Sequence, residues 1–174
     1  MVNYPWYEVI ENDNQLHQGD IIHACPVIIP KNSLIAGQTV EADVYEYDVI
    51  VMNQTCDLTN NKIELVAVCV LWSLEELGSS GSHFAGNKGR EELRRGYLAG
   101  YHLLNKCYLS GFEHDFYVAD FRNIYGVPYN SLLSMVQTKP KRLRLLPPYR
   151  EHLSQAFARF FMRVGLPADI PSFR

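Results

Sequence analysis

The apolar and polar positions of the chain fall into short blocks, and most of those blocks alternate. After the turn signal Gln18-Gly19-Asp20 comes the apolar run IIHACPVIIP. Pro26 interrupts it, which predicts an edge strand or two short strands meeting at a bend, because proline cannot donate to a ladder. KNSLIAGQT then reads as a loop or a hairpin tip. From Val44 to Met52 (VYEYDVIVM) the pattern alternates and then turns continuously apolar, as a strand does on entering a core. Ile63 to Trp72 (IELVAVCVLW) is a second such strand. The short polar connection between them, punctuated by Asn60-Asn61, predicts antiparallel pairing.

Beyond this pair, residues 78–89 lie in a Gly- and Ser-rich stretch and read as a mobile loop. GREELRRGYLA predicts a helix over 89–99. Tyr101–Leu109 and Phe116–Phe121 read as strands around the Ser110-Gly111 turn, 130–137 as a short helix and Arg142–Leu146 as an alternating strand. The final block is a helix over 148–164 opened by Pro147-Pro148, since proline is tolerated in a first turn. Tyr149, Leu153, Ala156, Phe157, Phe160, Phe161 and Val164 recur along it at helical spacing and make one wide apolar face. Gly165 and Pro167 mark its end. The sum is a single α+β domain over 1–174: a small, strongly curved antiparallel sheet or barrel, one helix around 89–99, and a C-terminal amphipathic helix packed across the sheet.

Bulk properties narrow the class. With 47% apolar residues the chain can bury a core, so intrinsic disorder is excluded as an expectation. The start MVNYPWYEVIEND has neither a basic segment nor a long apolar run, and no stretch is long enough to span a bilayer. A soluble, cytoplasmic protein without a membrane partner is expected. None of Cys25, Cys56, Cys69 and Cys107 forms a C-x-x-C pair, so reduced thiols are expected rather than disulfides. No Gly-rich phosphate loop, H-E-x-x-H or G-x-S-x-G is present, and no cofactor is implied. Charge is polarised: residues 1–80 carry two basic against twelve acidic residues, and residues 81–174 carry fourteen against seven. That pattern points either to a basic face for an anionic partner or to two halves that attract each other.

Three constellations carry candidate chemistry. Gln54-Thr55-Cys56-Asp57 closes the first core strand, so Cys56 is a candidate nucleophile with Asp57 or Gln54 orienting. Asp57 works against a thiolate, so activation would have to come from a distant histidine: His23, His102, His114 or His152. The bland alternative has Thr55 and Asp57 satisfying a turn while Cys56 packs inside. His23-x-Cys25 with Cys56 offers a zinc-like ligand mixture, since i and i+2 share a strand face, but it lacks paired cysteines. Lys139, Lys141, Arg142, Arg144 and Arg150 make a basic stretch suited to phosphates, with Arg142 and Arg144 on one strand face and Leu143 and Leu145 inward. A solvated face, or docking onto the acidic N-terminal half, is the competing reading for that stretch.

The strand ending in QTCDL and the tail RLRLLPPYREHLSQAFARFFMRVGLP resemble a group of bacterial conserved hypothetical proteins, a resemblance that brings no activity with it. The N-terminal half is also similar to the PemK/MazF-like toxins, SH3-like barrels that cleave RNA. The similarity rests on Gly19-Asp20-Ile21-Ile22, on Asp48 to Asp57 and on Val66 to Ser73. It implies an SH3-like barrel. The toxins' transition-state arginine before the second strand is absent here, where EADVYEYDV offers carboxylates and no base. The leading expectation is therefore a bacterial accessory or regulatory binding module that holds nucleic acid or protein on its basic C-terminal half. The alternatives are a cysteine-dependent enzyme and a toxin-like endoribonuclease. Oligomeric state is open.

Overall fold

The computed structural model describes residues 4–60, 62–79, 82–139 and 141–162. Its strands are β1 (Tyr7–Ile10), β2 (Asp20–Pro30), β3 (Ala42–Val51), β4 (Leu65–Ser73), β5 (Tyr101–Leu104), β6 (Tyr117–Pro128) and β7 (Arg142–Leu145). They form one antiparallel sheet in the order β1-β7-β2-β3-β4-β6-β5. The helices are α1 (Thr55–Thr59), α2 (Leu74–Ser79), α3 (Asn87–Arg94), α4 (Tyr129–Thr138) and α5 (Tyr149–Phe161). The chain is thus α+β with a curved sheet. That sheet does not close, because β1 and β5 end it unpaired to each other, so the SH3-like barrel is replaced by an open sheet.

The continuous apolar runs are explained by cover on both faces. Ile50, Cys69, Leu71 and Phe121 lie on one face beneath α5, whose Leu153, Ala156, Phe157 and Phe160 pack there. Val49, Val51, Val66 and Val68 lie on the other face with Leu132 and Val136 of α4. β3 and β4 pair antiparallel from Val49↔Val70 to Val51↔Val68, as their short connection predicts. The α5 stripe is narrower than its spacing implies: Phe161 is exposed, and Val164, Gly165 and Pro167 lie outside the described residues.

The strand expected over Tyr101–Leu109 ends at Leu104, and the one expected over Phe116–Phe121 runs from Tyr117 to Pro128. Two further segments depart from the sequence reading. Much of the expected loop over 78–89 is packed and helical. Ser73 and Glu76 exchange a reciprocal capping box that opens α2. A 3₁₀ turn over His83–Ala85 buries Phe84 against Leu93 and Val118. Gly89 is there for close approach, since a Cβ would meet the His83 carbonyl oxygen at 1.9 Å. The helix expected over 89–99 accordingly starts at Asn87 and ends at Arg94. The second departure is β1, which pairs Tyr7↔Leu145 through Ile10↔Arg142 and turns β7 into an interior strand.

β2 and β3 extend past the rest of the sheet. β2 meets β7 only at Asp20 and Ile21, and β3 meets β4 only over Val49–Val51. From Cys25↔Tyr47 to Pro30↔Ala42 the two strands pair, among the described residues, only with each other and form a projecting ribbon. A bulge between Ile22 and Cys25 sets its angle, and there Ala24 adopts φ +52°.

Candidate functional site

After β3 the chain turns into α1, a single turn anchored by buried Leu58. Gln18 ties this turn to α5: its N–H donates to Thr55 Oγ1, and its Nε2 donates to Met52 O and to Ser154 Oγ. Cys56 is exposed, with Sγ 3.8 Å from Gln54 Oε1 and 3.9 Å from Asp57 Oδ1. Asp57 lies 3.8 Å from Lys62 Nζ. The thiol faces solvent from α1 rather than from the end of a strand, and no histidine contacts it among the described residues. His23 Nδ1 instead lies 2.9 Å from Asp48 Oδ2. Asp48 sits three residues before the end of β3, about 10 Å back along the strand. His102 stacks on Phe121, His114 on Tyr117, and His152 meets the edge of Tyr149. Cys56, Gln54 and Asp57 therefore stay together, and His23 belongs to a different place.

The other three thiols are buried, which favours their protonated form. Burial pushes Cys25 up to about 11. Cys69 is raised by burial and then by Asp120, and Cys107 is raised chiefly by burial. The zinc-like set does not assemble: among the described residues no three His, Cys, Asp or Glu side chains are grouped to hold a metal. The bulge at Ala24 breaks the alternation that would have put His23 and Cys25 on one face.

The basic stretch is dispersed rather than gathered. Arg142 and Arg144 are buried, so they do not form the exposed phosphate-binding face expected of them. Arg142 Nε donates to Asp20 Oδ2 at 2.9 Å, and its remaining donors reach the carbonyls of Asp13 and Gln15. Arg144 donates to both Asp20 oxygens and to Asp13. Burial works against the Asp13 carboxylate, but the Gln15 N–H and the two guanidinium groups outweigh it and hold its carboxyl below the ordinary range. These arginines do what the competing reading allowed: they dock the C-terminal half onto the acidic N-terminal half. Lys141 pairs with Glu11 and Arg150 with Glu151, while Lys139 is exposed.

A site that the motif reading did not assemble lies where β3 and β4 diverge. Below Val49↔Val70 the two strands fork around a cavity of about 610 Å³. Its walls are Glu46, Tyr47 and Asp48 from β3, Trp72 and Tyr117 across the fork, and Glu75 and Glu76 from α2. Asp48 is the hinge of the arrangement. Its Oδ1 accepts the Ala24 N–H at 3.1 Å, and its Oδ2 accepts from Tyr117 at 3.3 Å as well as meeting His23. Burial opposes this carboxylate, but His23, the Ala24 N–H and Tyr117 outweigh it and keep its pKa low. Burial, followed by the Asp48 charge, pushes Tyr117 up to about 12. Glu46 and Glu75 form no ion pair among the described residues.

The same strand offers an unsatisfied edge. Lys31 N donates to Glu41 O, so positions 31, 29, 27 and 25 of β2 bond inward to β3 and positions 26, 28 and 30 face outward. Pro26 and Pro30 occupy two of those outward positions and block the β2 edge. On β3 the outward positions are Ala42, Val44 and Glu46, none of them proline, and no strand pairs with them among the described residues. Beside this edge the cross-strand pair Ile28↔Val44 is 67% and 64% exposed. The parity of Pro26 and Pro30, and the alternation EYD in β3, were the sequence signals for this edge.

Comparison of the chain with protein-family models, with curated proteins and with solved structures returns no match. No helix among the described residues is long and apolar enough to cross a membrane.

Proposed function

We propose that this protein is a protein-binding module that takes an extended segment of a partner as an added strand on β3. The observation that supports it is the asymmetry of the ribbon: Pro26 and Pro30 obstruct its β2 edge, whereas its β3 edge is open among the described residues beside the exposed Ile28–Val44 pair. A two-stranded ribbon is marginal by itself, and an open apolar edge invites aggregation unless a partner covers it. Strand addition supplies main-chain hydrogen bonds for affinity, with side-chain pockets for selection. The binding-module reading thus moves from the basic C-terminal half to the β2–β3 ribbon. Four free cysteines support a reducing, cytoplasmic setting.

The test is a photo-crosslinking residue placed at Val44 in the native cell, with Arg94 of α3 as the control position. Adducts at position 44 should map to an extended segment of another protein and vanish when Glu46→Pro is added. That change removes an outward N–H and leaves the β2–β3 ladder intact. Adducts that survive Glu46→Pro would overturn the reading.

A second reading, a cysteine-dependent enzyme, is favoured by one observation: Cys56 is the one exposed thiol of the four. Iodoacetamide should label Cys56 and spare Cys25, Cys69 and Cys107 in the folded protein. A catalytic thiolate would react at pH 6 well ahead of free glutathione, and a rate equal to glutathione's would leave Cys56 an ordinary surface thiol.

A further inference from the structure

The forked cavity adjoins the open edge, and its lining specifies what it should hold. We propose that the strand added to β3 carries a lysine or arginine whose side chain enters the cavity between β3 and β4. This rests on the strand-addition reading above and assigns its selectivity.

The argument is one of charge, shape and reach. Glu46, Asp48, Glu75 and Glu76 put four carboxyl groups around the cavity, and among the described residues no basic side chain lines it. Two of them are already engaged: Asp48 by His23, Ala24 and Tyr117, and Glu76 by the Ser73 N–H. Glu46 and Glu75 are left to meet an incoming charge. The aromatic walls suit the same guest. Tyr47 meets Trp72 edge-on at 5.7 Å and stacks on Tyr125 at 6.1 Å, so its ring is fixed in place. A cation over such faces gains attraction from the ring quadrupole, while its apolar stem packs along them. An anionic or neutral side chain would gain neither.

Reach follows from the register. A strand laid against the outward groups of Val44 and Glu46 runs directly toward Asp48, where the fork opens. Its side chains alternate, so one in two can point into the cavity. The β2 edge is a poorer site, because Pro26 and Pro30 remove two of its three outward donors and leave Ile28 alone. The surplus of acidic over basic residues in 1–80 adds long-range attraction for a cationic segment.

The test uses three nine-residue peptides alternating valine with lysine, serine or glutamate, titrated calorimetrically against the full chain. The lysine peptide should bind about ten-fold tighter than the serine peptide, the scale of one charge-assisted hydrogen bond. The glutamate peptide should bind more weakly than either. Glu46→Gln combined with Glu75→Gln should erase the lysine advantage and leave the serine peptide's affinity unchanged. An unchanged thermal melt shows that the double variant is folded. Equal binding of the lysine and serine peptides would overturn the cationic assignment while leaving strand addition standing. Binding by none of the three would overturn both. Lysine-peptide binding that survives Val44→Pro unchanged would also overturn the assignment, because the peptide would then sit elsewhere.

Discussion

Asp20 is fully buried and accepts from two arginines, so its removal strands two guanidinium groups in the interior. Breaking a buried pair from one side costs far more than the pair contributes, because the remaining charge has no solvent. Asp20→Ala should therefore destabilise the fold by about 3–5 kcal/mol in urea unfolding. Lys141→Ala removes the exposed pair with Glu11 and should cost about 0.5 kcal/mol or less. If the two variants unfold alike, the Asp20 network is not holding β7 and the segment around Asp13 to β2. The alternation in Arg142-Leu143-Arg144-Leu145 was legible as a strand, but the burial of its arginines was not. Alternation reports which residues share a face; it is silent on whether that face meets water or a carboxylate brought from residue 20.

At the scale of elements, legibility tracked local pattern. β3, β4, α4, β7 and α5 stand close to where periodicity places them, because each carries its own apolar signature. β1 is too short to show a period and exists because β7 pairs with it. The 78–89 region shows the opposite failure. Its Gly and Ser content suggests mobility, yet Gly89 answers to a close backbone approach and Ser82 caps a 3₁₀ turn. A capping box in Ser73-Leu74-Glu75-Glu76 was the available cue to helix there. For the candidate site, a turn at Gln54-Thr55-Cys56-Asp57 was legible, while the exposure of Cys56, on α1 rather than at a strand end, was one of two readings left open. The fork was not legible, because it depends on where β3 and β4 stop pairing, and irregularities flank that point on both sides: the bulge at Ala24, held by Asp48, and the register shift between Cys69 and Val70 where β4 meets β6.

α5 covers one face of the sheet, and what it covers makes the stability of the molecule depend on pH. His102 lies under this helix, stacked on Phe121, and burial, aided by the His152 charge, pulls its pKa down to about 4. An unfolded histidine titrates near 6.5, so between roughly 6.5 and 4 the unfolded chain binds a proton that the folded chain refuses. Stability must then fall as pH drops through that window, by about 2 kcal/mol at pH 5 for this one residue. Burial lowers His17 and His114 as well, so they add to the same slope. The depressed carboxyls of Asp13, Asp48 and Asp120 act in a lower window: their stabilisation is present above about 4 and is lost below it. Loss between pH 7 and pH 5 therefore isolates the histidines. Urea unfolding at the two pH values should show a smaller loss for His102→Gln than for the parent chain. An identical loss in both would mean that the proton taken up on unfolding belongs elsewhere, and that α5 does not keep a neutral imidazole beneath it.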